Sequence, residues 1–159
     1  MTRVFSKKVA VAVLAGGLMV PSGAAVLADS HGEDRFAESQ YRHDVMEHFN
    51  YAIKKVLQNF QGNVQHPKHF AHLATIMAEA AQMTTDAFEK DTRGMDGYTK
   101  AKDDIWENWE DFSARLDQLK ADTAAFAEVA RSDNMEQVGP AFRKAVSQCK
   151  SCHDKYKAD

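Results

Sequence analysis

Three residues near the end of the chain, Cys149, Cys152 and His153, are of the types and at the spacing that can hold an iron-bearing macrocycle. They lie in Cys149-Lys150-Ser151-Cys152-His153, the CxxCH pattern by which a c-type haem is attached. On a helix, offsets of three and four residues project from one face. Both sulfurs can then form thioethers with the two vinyl groups while the adjacent imidazole reaches the iron. Lys150 and Ser151 point away from that face. Other uses of the same residues fit less well. A thioredoxin-like dithiol belongs at a strand-to-helix junction of an α/β chain. A structural zinc site needs four ligands, and no second cysteine pair is present. A disulfide across two residues closes too short a loop to gain much and strains helical geometry.

Helices must present this motif, and the sequence supplies them. Beyond the first 28 residues, apolar side chains recur three and four apart, and period-two runs of Val, Ile and Thr are missing. A first helix is predicted over about 35–60, with Met46, Phe49, Ile53, Leu57 and Phe60 on one stripe and Gly62-Asn63 as its stop. A second begins near Pro67, where a first helical turn has no use for the missing N–H, and buries Phe70, Leu73, Met77 and Phe88. The segment 91–98, with Gly94 and Gly97, interrupts the pattern. A third helix carries Ile105, Trp109, Phe112, Leu116, Leu119, Thr123 and Phe126 in alternating steps of four and three, the seam of a shallow-angle bundle, and should be the longest straight helix. After the polar break Ser132-Asp133-Asn134, a fourth has Val138, Phe142, Val146, Cys149, Cys152 and Tyr156 as its inner stripe. Gly139-Pro140 conflicts with it: either the helix starts near Pro140 or the proline lies within its first turns. Four helices with short links imply an all-α, antiparallel four-helix bundle.

Residues 1–28 read as an export signal. Arg3, Lys7 and Lys8 precede an apolar run from Val9 to Val20 that is too short to span a bilayer. Val26-Leu27-Ala28 offers short side chains to a signal peptidase, which places cleavage after Ala28 and leaves a bundle domain of 29–159. The expected location is the periplasm, with no membrane span after processing. An oxidising compartment also suits haem attachment, which uses both cysteines.

The chain has 159 residues and a formal charge of −3, and losing the three leader cations leaves 17 Lys and Arg against 23 acids, or −6. That is the size of one domain, and nothing in it suggests a nucleic-acid surface. There is no catalytic triad, phosphate loop or carboxylate pair with an identifiable substrate, so no hydrolase or transferase is indicated.

An exported, bundle-length chain with CxxCH in its last helix resembles the cytochrome c-prime family and its low-spin, methionine-ligated relatives. The resemblance is strongest over Cys149–Tyr156. It is supported by Tyr41-Arg42-His43-Asp44-Val45-Met46 in the first helix and by Ile105-Trp106 with Phe112 in the third. It implies one haem c, His153 as proximal iron ligand, Met46 at the distal position and Arg42 near a haem propionate. Phe49 and Asn50 stand where most of the family has glycine, and Lys157 where it often has arginine.

Met46 decides the mechanism. Sulfur ligation would make the iron six-coordinate, low-spin and raised in potential, as suits a one-electron carrier between redox partner proteins. Ligation is the reading taken. The alternative is a five-coordinate iron under an apolar pocket, open to nitric oxide or other small gases. Neither is an enzyme, and a peroxidase would want a distal His and Arg. A haem-dependent sensor is a third and weaker reading. The resemblance further implies a homodimer through the first two helices.

The remaining chemistry-bearing residues have plainer readings. His43 and His48 flank Met46, but each is turned about 100° or more from a haem-facing neighbour. His66, His69 and His72 recur at steps of three and read as a solvated face, with chelation of a divalent ion as the alternative. Trp106 and Trp109 read as core, with contact to the porphyrin open to one of them. Asp103-Asp104 and the run 107–111 read as solvated helix face, and nothing supports a docking role for them.

Overall fold

The computed structural model describes residues 34–132 and 134–159. The leader, its cleavage point and Asp133 lie outside them. Within the described residues the chain is a bundle of four long helices. α1 is Ala37–Phe60, α2 is His69–Glu89, a single turn α3 is Asp104–Glu107, α4 is Trp109–Arg131 and α5 is Met135–Tyr156. α1 packs on α2, α2 on α4 and α4 on α5.

Each helix buries an apolar stripe, but in α1 it is turned from the expected one: Phe49 is buried, Met46 and Ile53 are partly buried, and Leu57 and Phe60 are exposed. α1 buries Val45, Phe49, Ala52 and Val56, and Gly62, at φ 75°, turns the chain out of it. α2 starts just after Pro67, once the His69 and Phe70 amides have closed three-residue turns onto the His66 and Pro67 carbonyls. It buries Phe70, Leu73, Met77 and Phe88 as expected, together with a set of alanines.

The third predicted helix differs from expectation. It is broken at Asn108 (φ −126°, ψ 44°) into α3 and α4, and at 23 residues α4 is one shorter than α1. The Asn108 side-chain amide donates to the Asp104 carbonyl at 3.1 Å, the local competition for backbone groups that makes Asn a poor helix interior. The apolar seam continues across the break, which is why periodicity passes over it. In α5, Pro140 lies inside the helix, beyond its first turn.

Two buried clusters divide the bundle along its length. One joins Ala52, Val56, Phe70, Met77, Ala80, Phe126, Val138 and Phe142. The other joins Val45, Phe88, Ile105, Phe112, Leu116 and Tyr156, and Met46 packs against both. At the first end the rings of Phe60 and Phe142 bring α1 and α5 together, with centroids 5.8 Å apart. At the second end the space between α1, α4 and α5 is a cavity. There the chain before α3 is laced to the end of α5. The Lys102 amide donates to the Tyr156 carbonyl and the Ala158 amide to the Lys100 carbonyl, at 3.0 and 2.9 Å.

Candidate functional site

The cavity measures about 500 Å³ and lies within the size range of ligand pockets, roughly 300–1,000 Å³. α5 contributes Cys149, Cys152, His153 and Tyr156 to its wall, and α1 contributes Arg42, His43, Met46 and Ile53. Phe88 and Ile105 add apolar surface, as do Phe112, Leu116 and Leu119 from α4. The five residues read as site residues from sequence therefore share one wall system.

The two cysteines are unpaired and half-buried. Burial pushes both thiols up from their ordinary values. Their separation of three residues, just under one helical turn, puts both sulfurs on the cavity side. His153 sits at the exposed rim. Desolvation, and after it the charge of Lys157, lowers its imidazole, which favours the neutral ring with a free lone pair.

Arg42 is the least expected environment. It is only 3% exposed, its Nη2 donates to Thr92 Oγ1 at 3.1 Å, and Nη1 has no hydrogen-bond partner among the described residues. Its guanidinium carbon lies 5.6 Å from the Phe36 ring centroid, 5.4 Å from Phe88 and 5.6 Å from Trp106. Burial lowers its pKa, Glu38 opposing, yet an arginine at this site stays protonated. A desolvated cation with an unused donor is costly unless an anion meets it. The Trp106 indole, fixed on the Phe88 carbonyl at 2.9 Å, belongs to this cage and not to the cavity wall.

The donor set fits a haem. Two thiols and a neutral imidazole occupy one face of α5, a thioether stands on α1, the walls are apolar, and a buried cation with a spare N–H is available for a carboxylate.

Several other residues lie elsewhere than their sequence context suggests. His43 lines the cavity, three residues before Met46 on the same side of α1, whereas His48 is exposed with Nδ1 2.8 Å from the Asp44 carbonyl oxygen. His66, His69 and His72 are exposed; the first two rings stack at 4.7 Å. Among the described residues, no group of three or more His, Cys, Asp and Glu side chains is placed to hold a metal ion.

Asp111, read as one of a run of solvated acids, is a junction. It accepts hydrogen bonds from Arg115 at 2.8 Å, Lys155 at 3.0 Å and the Tyr156 hydroxyl. Arg115, then Tyr156 and Lys155, hold its carboxyl well below the usual carboxylate range. Asp122, passed over in sequence, is a buried carboxylate that accepts from Gln118 and from the cavity residue Gln148 and pairs with Lys144, each at 3.0 Å. Their partners come from other turns or helices, so only an unusually placed acid on an apolar stripe could have hinted at either.

Comparisons with known proteins agree with this geometry. Cytochrome c' of Allochromatium vinosum is 27% identical over 148 residues, covering 91% of this chain and 94% of that protein. Cytochrome c' of Halomonas halodenitrificans is 30% identical over 107 residues, 62% of this chain and 79% of that protein. The solved cytochrome c prime from Shewanella frigidimarina superposes with a TM-score of 0.71 at 24% identity, over 79% of this chain and all of that one. Residues 37–157 match the family described as Cytochrome C'. The bundle, the motif on its last helix and this match along nearly the whole described chain lead to one conclusion: the protein belongs to the cytochrome c' family of c-type haem proteins.

Proposed function

We propose that the protein is an exported mono-haem cytochrome that carries one electron at a time. In this reading residues 1–28 are a cleaved leader and the bundle works in the periplasm. Among the described residues no helix is long and apolar enough to cross a membrane. Cys149 and Cys152 supply the thioether sulfurs, His153 the proximal nitrogen and Met46 the distal sulfur, and Arg42 meets a propionate. The observation that carries the reading is the convergence on one cavity of the CxxCH face of α5 and a buried cation with an unused donor.

When bound, the haem supplies an iron that changes oxidation state by one electron. The chain does the rest. Phe88, Ile105, Phe112 and Leu116 exclude water and lower the local dielectric, which acts on the potential. Thr92 and three aromatic rings fix the Arg42 guanidinium in place. Neutral His153 offers its lone pair without first losing a proton. Redox proteins are the partners, and the outward Tyr41 and Tyr51 of α1 support pairing with a second copy.

One observation favours a second reading. Met46 packs against both buried clusters, as a gap-filling side chain would, and an unligated Met46 would leave a five-coordinate iron that binds nitric oxide or another small gas.

The test is a spectrum of the purified holoprotein and of Met46→Ala. Ligation gives a low-spin ferric form with a sulfur-to-iron charge-transfer band, which the substitution abolishes together with a drop in potential. A wild type that is already high-spin and takes up carbon monoxide when reduced establishes the gas-binding reading. Colourless material with the mass of the bare polypeptide overturns both.

A further inference from the structure

We infer that Asp122 helps set the potential of the haem: its carboxylate is a fixed negative charge one side chain behind the cavity wall, and it favours ferric over ferrous iron. This role presupposes the haem reading of the cavity and holds whether or not Met46 is bound. Asp122 and Arg42 are the two buried charged side chains among the described residues, 2% and 3% exposed. Arg42 lines the cavity with an unused donor, which a propionate can answer. Asp122 has no such role, because it is no part of the lining. All its partners are donors: Gln118 and Lys144 to Oδ1 and Gln148 to Oδ2, each at 3.0 Å. That set suits the ionised carboxylate, which only accepts.

Stability does not account for a charge in this place. The attraction within a buried ion pair roughly offsets the desolvation of its ions, and an apolar pair of similar volume is often as stable or more so. Position accounts for it better. Asp122 lies one turn of α4 beyond Leu119, a wall residue, and Gln148, which donates to it, lines the cavity immediately before Cys149. The charge therefore stands behind the corner where the first thioether would form. Gln118 on its own helix and Lys144 and Gln148 on α5 hold it in place, so it cannot turn out into water as a surface acid does. Lys144 compensates only in part. Its side chain is 67% exposed, where solvent screens its field, whereas the field of Asp122 crosses protein to reach the cavity. Ferric iron carries one positive charge more than ferrous iron, so a buried anion beside it stabilises the oxidised haem and lowers its potential.

Removing each member of the ion pair in turn gives the test. The purified holoprotein is reduced at equilibrium, an electrode passing one electron through a soluble mediator to each ferric iron. Asp122→Asn removes the charge and keeps the shape, and it should shift the balance about three- to tenfold toward the ferrous form. Lys144→Gln removes the compensating cation and should shift it about two- to threefold the other way at low ionic strength, an effect that about 1 M salt erases. The shift of Asp122→Asn should survive that salt, because the charge it removes is buried. Asp117→Asn, at a 73% exposed acid of the same helix, should change little. Opposite signs separate charge from structure. A merely loosened seam between α4 and α5 would admit water to the haem and lower the potential in both variants. An unchanged or lower potential in Asp122→Asn overturns the inference, and so does a rise no larger than that of Asp117→Asn. Should Asp122→Asn yield no haem-loaded protein, Lys144→Gln decides alone, and a potential that fails to fall overturns the inference equally. A haem-free wild type strikes the haem reading itself, whereas a haem-loaded protein indifferent to both charges strikes only this one.

Discussion

The two ends of the bundle are made from the same four helices and filled in opposite ways. At the end holding Phe126 and Phe142, whose rings stand 5.5 Å apart, small and large side chains interdigitate. Ala52, Ala74, Ala80, Ala81 and Ala145 let the aromatic rings of neighbouring helices in. At the other end the ring contacts are just as close, with Phe112 at 5.2 Å from Phe88 and 5.0 Å from Tyr156, but they line a space of about 500 Å³. Close packing is the default of protein interiors, so a space of that size among apolar walls marks a ligand site. The hollow end gathers the thiols, the thioether, the imidazole and the caged arginine.

The largest effect should come from the solid end. Phe126 is fully buried, so Phe126→Ala removes a ring from a region with nothing to relax into it and should cost about 3–5 kcal/mol in denaturant unfolding of the holoprotein. Its haem content and spectrum should be unchanged while it remains folded. A loss under 1 kcal/mol would mean that this end is not close-packed.

Adding volume sharpens the same contrast. Ala80 is 1% exposed, and Ala80→Leu should overpack its seam at a cost of about 1–3 kcal/mol without touching the cofactor. Ile53→Phe, on the cavity wall, has open space before it and should leave unfolding of the haem-free chain nearly unchanged. The yield of covalently loaded protein, read by mass, should fall instead. Equal behaviour of the two variants in both measurements would erase the distinction between the ends.

What could be read from sequence, and what could not, follows the same division between local and distant. The helices were legible because burial repeats every three to four residues, from Val45 to Val56 in α1 and from Phe112 to Phe126 in α4. The motif Cys149 to His153 was legible because its geometry closes within about one turn. The break at Asn108 escapes periodicity because the apolar seam continues through it. The cage around Arg42 was missed because Phe36, Phe88 and Trp106 come from three separate segments and no local pattern pairs them. His43 and His48 show the limit of angular reasoning. Both flank Met46, but only the one three residues away faces the cavity.

The smallest effect concerns the seam between α4 and the end of α5, where Asp111 holds Arg115, Lys155 and Tyr156. Its carboxyl titrates below the ordinary value in the folded protein, chiefly because Arg115 donates to it. The sign follows from proton linkage. A depressed acid contributes stability above its unfolded pKa, near 4, and loses it as pH falls toward the folded value. Asp111→Asn should therefore flatten the acid limb of a stability profile below about pH 4 and leave the neutral region little changed. The group is exposed, and solvent screening keeps the difference well below those of Phe126→Ala and Ala80→Leu. Tyr156 tests the other sign. Burial, with the Asp111 charge beside it, raises its phenol, so its contribution is complete below the unfolded pKa near 10 and fades as pH climbs through the folded one. With Asp111→Asn the negative charge that opposes ionisation is gone, so the folded phenol titrates closer to its unfolded value and the alkaline fade should be smaller and end at a lower pH. An unchanged acid limb in the variant would show that the junction beside the proximal turn holds the hollow end no more firmly than a solvated helix face does.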